Sequence, residues 1–163
     1  MPFTPFHFGP SACVALPLKK RLDLPVFVLV SVAVDLEPLC VMVSGLSYPL
    51  HGYAHTLLGS ALVGLLFGWV AYALRTPVVL VMNKLRLRYN PDLRKALWSG
   101  VVGAWFHVLL DSMLYQDIRP FYPFVFNPFL GLVSFPAMYL ACALAFIPAL
   151  VLYIYYAAQY PKR

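Results

Sequence analysis

The chain has 163 residues, of which 62% are hydrophobic and only 11% are charged, a composition far outside the range of soluble domains. The formal net charge of +6 comes from basic residues in short connections between apolar stretches, where charge sets membrane orientation, so no nucleic-acid partner is expected. The sequence predicts one domain over residues 1–163, an all-α polytopic integral membrane bundle of about four spanning helices and a short N-terminal helix.

The first two apolar stretches differ in length. Residues 8–18 are too few to cross a bilayer and predict a short or half-inserted helix that starts near Pro10 and is preceded by His7. Residues 24–44 are long enough to span. A proline removes a helical hydrogen bond, so a kink or an end of the regular helix is expected at Pro38.

A third helix is predicted to be the clearest span in the chain. Ser47 and Pro49 are residues that favour a helix start, and an uninterrupted apolar stretch follows over residues 57–74. If the helix starts there, its first turns carry His51 and His55.

The second half of the chain contains two further apolar stretches. Residues 75–94 form a basic connection, and residues 90–92 have the Asn-Pro-Asp pattern of a helix start. The helix that follows is predicted to continue through residues 97–115. Prolines and aromatic residues over 116–129 predict an interfacial or re-entrant loop, and residues 132–158 predict the last span.

Positive charge is distributed unevenly between the connections. One set of connections is rich in lysine and arginine, whereas the alternate set contains only Arg119. Because basic connections remain in the cytoplasm, residues 45–50 and 116–129 are expected to face away from it. The protein is therefore expected in the plasma membrane, with its site toward the extracytoplasmic side. The basic segments on the cytoplasmic side are 19–21, 75–95 and 162–163.

Histidine and acidic residues are expected to concentrate in the outer half of the membrane. Counting about 1.5 Å of rise per helical residue from the cytoplasmic ends places them at similar depths, although they come from four separate segments. Buried ionisable residues in a membrane are costly and usually functional. The candidates are His7, Asp35, Glu37, His51, His55, His107 and Asp111.

The spacing of two pairs suits a metal ion. His51 and His55 are four residues apart, as are His107 and Asp111, so each pair would share one face of a helix. Zinc accepts imidazole nitrogen and carboxylate oxygen, and a catalytic site keeps a position open for water. Seven candidates exceed one tetrahedral shell, so we expect one to three divalent ions, with zinc preferred, or one ion whose histidines are oriented by further carboxylates.

Each of these elements also has a structural interpretation. The N-terminal histidine could be an interfacial residue, the paired histidines could solvate a helix end, and the pair in the fourth helix could be structural. The two carboxylates of the second helix could form a structural polar cluster beside Pro38, and Glu37 is a weaker ligand candidate than Asp35. Arg119 could bind a substrate phosphate or carboxylate, or could anchor the chain to lipid headgroups.

Four sequence segments carry a family resemblance: MPFTPFHFGPSA, VDLEP, PLHGYAHTLLGS and HVLLDSMLYQDIRPFYP. They resemble the membrane-bound metal-dependent hydrolases that include the LexA-regulated, YdjM-like members, and the likeness covers most of the chain up to about Gly131. That family is more distantly similar to zinc-dependent phospholipase C and the P1-type nucleases, which implies a phosphoester substrate. The resemblance implies metal positions at His7, Asp35, His51, His55, His107 and Asp111.

These observations predict a membrane-embedded hydrolase in which a metal-activated water attacks an ester, preferably a phosphoester of a lipid or of another membrane-proximal small molecule. Whichever of Asp35, Glu37 and Asp111 is not a ligand would take the proton, and Arg119 would contact the substrate. The alternatives are a metal or proton transporter, which needs polar residues through both halves of the membrane, and a noncatalytic membrane protein with a structural metal. No oligomeric state is assigned.

Overall fold

The computed structural model describes residues 5–161 and contains only helices and irregular segments over that range. The all-α prediction is confirmed. The first four residues of the N-terminal resemblance segment and the basic residues Lys162 and Arg163 lie outside the described range. The helices are α1 (Pro5–Ala15), α2 (Leu24–Ser44), α3 (Leu57–Ala73), α4 (Arg75–Lys84), α5 (Leu93–Ser112) and α6 (Phe135–Ala158), with a short 3-10 helix at Tyr53–His55 before α3.

Two helices, α2 and α6, are long and apolar enough to cross a membrane. The helices α3 and α4 meet the same criterion only as a pair, which is bent by 79° between them. The described residues therefore offer two or three candidate spans, and the prediction of about four is too high. The predicted span that does not qualify is α5. Its length is sufficient, but its mean hydropathy is lowered by Arg94, Lys95, His107 and Asp111.

The bounds of α2 follow from its caps. The side chain of Asp23 accepts a hydrogen bond from the amide of Val26 at 3.3 Å, and Gly45 ends the helix in the left-handed region at a φ of 59°. The helix does not end at Pro38 but continues to Ser44. It therefore carries Asp35 and Glu37, which lie on either side of Leu36, within one continuous helix.

The third helix starts later than predicted. Thr56 is its cap, because the hydroxyl of Thr56 accepts a hydrogen bond from the amide of Gly59 at 2.9 Å. His51 consequently lies in an irregular segment, and His55 ends the 3-10 helix. The expectation that both histidines sit in the first turns of one α-helix is wrong, because the cap forms at Thr56 and not at Ser47.

The structure differs from the sequence predictions at three other places. His7 lies within α1 instead of before it, and Pro10 is inside that helix. The basic connection contains the helix α4. At the start of α5 the cap is Asp92, whose carboxylate accepts from the amide of Lys95 at 2.8 Å, and not Asn90.

The helix α5 is central and brings the polar segments together. It packs against α3 and α2, while α1 packs mainly against α6. The contact with α3 is close enough to need glycine: a Cβ added to Gly100 would lie 2.0 Å from the carbonyl oxygen of Gly64. Buried residues of α2 and α5, such as Val34 and Val108, share one core cluster. This packing aligns the second half of α2 with the second half of α5.

Candidate metal centre

Four ionisable side chains meet where α2, the 3-10 helix and α5 come together. Asp35, His55, His107 and Asp111 each offer one ligand atom, and these atoms all lie within 4.8 Å of one another. The last three residues are buried and Asp35 is partly buried. Two imidazole nitrogens and two carboxylate oxygens match the number and kind of ligands in a tetrahedral zinc site. We refer to these residues as the four-residue cluster.

The separations within the cluster fit a shared ion. Nε2 of His107 lies 3.3 Å from Oδ1 of Asp35 and 3.6 Å from Oδ2 of Asp111. Nε2 of His55 lies 3.8 Å from the same Oδ1 of Asp35. Ligand atoms bound to one tetrahedral zinc at about 2.1 Å stand about 3.4 Å apart, so these distances need only small adjustments.

The hydrogen bonding of the two imidazoles also fits a cation. Nε2 of His55 and both ring nitrogens of His107 are buried and make no hydrogen bond. Buried polar atoms without a partner are uncommon in folded proteins because they carry a desolvation cost. A cation held between the imidazoles and the carboxylates would satisfy Nε2 of His55 and a nitrogen of His107. The residues present therefore fit a divalent metal ion.

Glu37 lies outside the four-residue cluster and orients one of its members, His55. Its Oε2 atom is 3.0 Å from Nδ1 of His55 and accepts from the amide of Gly52 at 2.9 Å, while Oε1 accepts from the amide of Ala54 at 3.0 Å. Metal-binding histidines commonly bond a carboxylate through the nitrogen that does not bind metal. Glu37 thus fixes both the imidazole and the loop that carries it.

A second histidine and carboxylate form a similar pair beside the first. Nδ1 of His51 lies 3.0 Å from both carboxylate oxygens of Asp117, and the amide of His51 donates to Oδ2 of Asp117 at 3.1 Å. The rings of His51 and His55 are 4.7 Å apart between centroids. His51 therefore lies next to the four-residue cluster but is not one of its members. Asp117 was not assigned as its partner, because no local spacing connects residues so distant in sequence.

His7 approaches the cluster from the other side. Nε2 of His7 lies 3.1 Å from Oδ1 of Asp111, and its ring is 4.4 Å from that of His107 between centroids. Nδ1 of His7 is buried without a hydrogen-bond partner. All four histidines predicted as ligands are thus gathered at one place. Four of the six predicted metal positions form the cluster itself, and His7 and His51 flank it.

Arg119 lies in the wall of a cavity adjacent to His51. The cavity has a volume of about 300 Å³ and is bounded by the connection between α2 and α3 and by the connection between α5 and α6. These connections are joined by a hydrogen bond from the amide of Leu57 to the carbonyl of Pro120 at 2.8 Å. The residues that line the cavity include Tyr48, His51, Tyr53, Asp117, Arg119 and Tyr122.

The family comparison agrees with the composition and with the apolar helices. Residues 1–161 match the family model described as YdjM inner membrane protein, which confirms the YdjM-like part of the resemblance. No curated protein and no solved structure matches the chain. The match covers almost the whole sequence, and α2 and α6 are long and apolar enough to span a bilayer. The chain is an integral membrane protein and belongs to the YdjM inner membrane protein family.

Proposed function

We propose that this protein is a membrane-embedded metal-dependent hydrolase that cleaves an ester, preferably a phosphoester of a lipid or of a membrane-proximal small molecule. The observation that carries the proposal is the four-residue cluster, in which buried imidazole nitrogens without hydrogen bonds face two carboxylates. This donor set suits zinc among the common divalent ions. When bound, such an ion would lower the pKa of a water molecule and polarise the scissile group.

The chain's own residues would supply the proton acceptor. Glu37 already accepts from two amides and one imidazole, so its oxygens are occupied in positioning His55. Asp35 and Asp111 are the carboxylates within the cluster, and the one that does not bind metal is suited to accept a proton from the attacking water. Of the three carboxylates considered from the sequence, Glu37 is therefore the least suited to this role.

The cavity beside His51 is the proposed substrate position. Arg119 in its wall could form paired hydrogen bonds to two oxygens of a phosphate group. The rings of Tyr53 and Tyr122 lie 5.1 Å apart between centroids and give the same cavity an aromatic wall. A cavity with one cation and several aromatic rings suits a molecule with an anionic head and an apolar remainder.

The proposed orientation places the four-residue cluster on the extracytoplasmic side. The basic segments 19–21 and 75–95 converge at the opposite end of the bundle, where residues of both line one cavity. Basic connections are retained in the cytoplasm during insertion. The cluster and its adjoining cavity would then open toward the other side of the membrane.

The transport alternative has less support. A pathway for metal ions or protons needs polar groups through both halves of the membrane. Residues 24–34, 57–73 and 96–106, which lead from the cluster toward the basic end, contain no histidine, carboxylate, lysine or arginine. The hydroxyls of Ser31 and Ser60 donate to carbonyls of their own helices, and the hydroxyl of Ser99 accepts from the amide of Asp23.

The proposal is tested with the purified full-length protein in liposomes of mixed phospholipids. Endogenous metal is removed with a chelator, zinc is restored, and release of phosphate or of phosphorylated headgroups is measured. We expect zinc-dependent release by the unsubstituted protein and by Arg94→Ala, an exposed control far from the cluster, but not by His107→Ala. Hydrolysis that persists in His107→Ala would contradict the proposal, and bound zinc without hydrolysis of any phospholipid would exclude a lipid substrate.

A further inference from the structure

A larger cavity lies at the end of the bundle opposite the four-residue cluster. It has a volume of about 1140 Å³ and lies between the α1–α2 connection, the α4–α5 connection and the last turns of α6. We call it the basic cavity, because five of the side chains that line it are cationic. These are Lys19, Lys20, Arg21, Arg88 and Lys95.

Cationic side chains outnumber carboxylates around the basic cavity. Asp92 is the one carboxylate in its lining, and it already caps α5 by accepting from the amide of Lys95. The buried carboxylate of Asp23 lies beside the cavity and interacts electrostatically with Lys95. Burial, and then repulsion by Arg88 and Lys20, lowers the pKa of Lys19. An anion in the cavity would relieve this repulsion.

The walls of the basic cavity are tied together. The hydroxyl of Tyr89 donates to Oδ2 of Asp23 at 2.8 Å, which joins the α4–α5 connection to the start of α2. Nζ of Lys95 donates to the carbonyl of Lys19 at 2.8 Å, and Nζ of Lys19 lies 3.4 Å from the ring centroid of Tyr156. These contacts hold Lys19 and Lys95 in place and join the segments that surround the cavity.

We propose that the basic cavity binds a phosphate-bearing anion. Several fixed cations around one space are the usual means of recognising a phosphate group. The cavity lies where the span α2 begins and the span α6 ends, which is the level of the lipid headgroups. Leu24, Met82 and Tyr155 give it an apolar wall beside the cations. Basic pockets between membrane helices bind anionic headgroups, so the favoured source of the phosphate is an anionic phospholipid.

The test compares two double variants that remove the same charge. Lys20→Gln with Arg88→Gln alters exposed cations that line the cavity, whereas Lys84→Gln with Arg94→Gln alters exposed cations that do not. Binding of phosphatidylglycerol to the full-length protein is titrated in nonionic detergent, with zwitterionic phosphatidylcholine as a second control. Two basic contacts at about 1 kcal/mol each predict a loss of affinity of roughly thirtyfold for the cavity variant. The matched control should bind like the unsubstituted protein.

Inorganic phosphate and glycerol phosphate serve as soluble probes in a second arm. If they bind as tightly as the lipid and the cavity variant loses them, the site is confirmed and its ligand is a soluble phosphate compound. Equal loss of lipid in both double variants would show a general charge effect and would overturn the proposal. So would the absence of phosphate and lipid binding by the unsubstituted protein. Metal content should be the same in all variants, which separates this result from the function proposed above.

Discussion

Oε2 of Glu37 lies 3.0 Å from Nδ1 of His55, so the imidazole turns its other nitrogen, Nε2, toward Asp35. The same carboxylate also accepts from the amides of Gly52 and Ala54. A single side chain of α2 therefore orients His55, one member of the cluster, and holds the segment before α3. Glu37 is a positioning residue in this arrangement, and its effect on the metal can be measured separately from ligation.

Glu37→Gln should weaken zinc binding while leaving the number of ions at saturation unchanged. Loss of a carboxylate that orients a metal-binding histidine typically costs about tenfold to a hundredfold in metal affinity. The dissociation constant can be measured by competition with a chromogenic chelator. Asp92→Asn makes the same carboxylate-to-amide change at a helix cap far from the cluster, and should leave the affinity unchanged. Equal affinities for Glu37→Gln and the unsubstituted protein would exclude a positioning role.

His55→Ala and Asp111→Ala should each lower the bound metal and abolish hydrolysis, while the protein still inserts into the membrane. Each change removes one member of the four-residue cluster and leaves the apolar spans intact. Elemental analysis of the purified variants gives the metal content. Asp92→Ala is the control, since loss of a helix cap costs about 1 kcal/mol, which packing can absorb. Full metal occupancy in both cluster variants would make the cluster a structural ion-pair network.

Ser47→Cys should react with an impermeant thiol reagent added outside intact cells. Ser47 is exposed in the connection between α2 and the 3-10 helix, which the charge distribution places away from the cytoplasm. The background should lack Cys13, Cys40 and Cys142, because Cys40 is itself exposed. Labelling that occurs only after lysis would reverse the proposed orientation and place the cluster on the cytoplasmic side.

Asp23→Asn should be at least as stable as the unsubstituted protein near neutral pH. Burial raises the pKa of Asp23, so its ionised form is disfavoured by folding. A raised pKa gives stability that is present at low pH and is lost as the pH rises through the folded-state pKa. The advantage of asparagine, which cannot ionise, should therefore shrink as the pH falls through that value.

Asp23→Ala provides the contrast. Asparagine can still accept from the amide of Val26 and can donate to the hydroxyl of Tyr89, whereas alanine does neither. We expect alanine to cost about 2 kcal/mol of unfolding free energy, the sum of a lost cap and a buried hydroxyl without its partner. Thermal unfolding in detergent across a pH series measures both variants. A stability difference between asparagine and aspartate that does not change with pH would contradict the raised pKa.

The sequence was sufficient to predict the helical class, the extent of the apolar stretch that forms α2 and the grouping of the polar residues, although α2 does not end at Pro38. Composition and hydrophobic length determine the first two, and depth along each span places histidines and acidic residues at one level. The prediction that these residues lie together depended on their depth in the membrane and not on which face of a helix they occupy. The four histidines therefore came together even though His51 and His55 do not share an α-helix.

The pairing of side chains could not be predicted in the same way. Glu37 contacts His55, and Asp117 contacts His51, through tertiary approaches between segments far apart in sequence. The bend after α3 depends on how Leu74 leaves one helix and enters the next, which hydrophobic periodicity does not encode. These contacts decide which candidates can bind metal directly and which orient other residues.

The glycine contact between α3 and α5 limits the movement of these two helices relative to each other. Because the backbones touch at Gly64 and Gly100, neither helix can slide past the other without a steric clash. The close approach at Gly64 and Gly100 therefore fixes the distance between the helix that follows His55 and the helix that carries His107 and Asp111. The helix α1, which carries His7, packs mainly against α6 and is not held by this glycine contact.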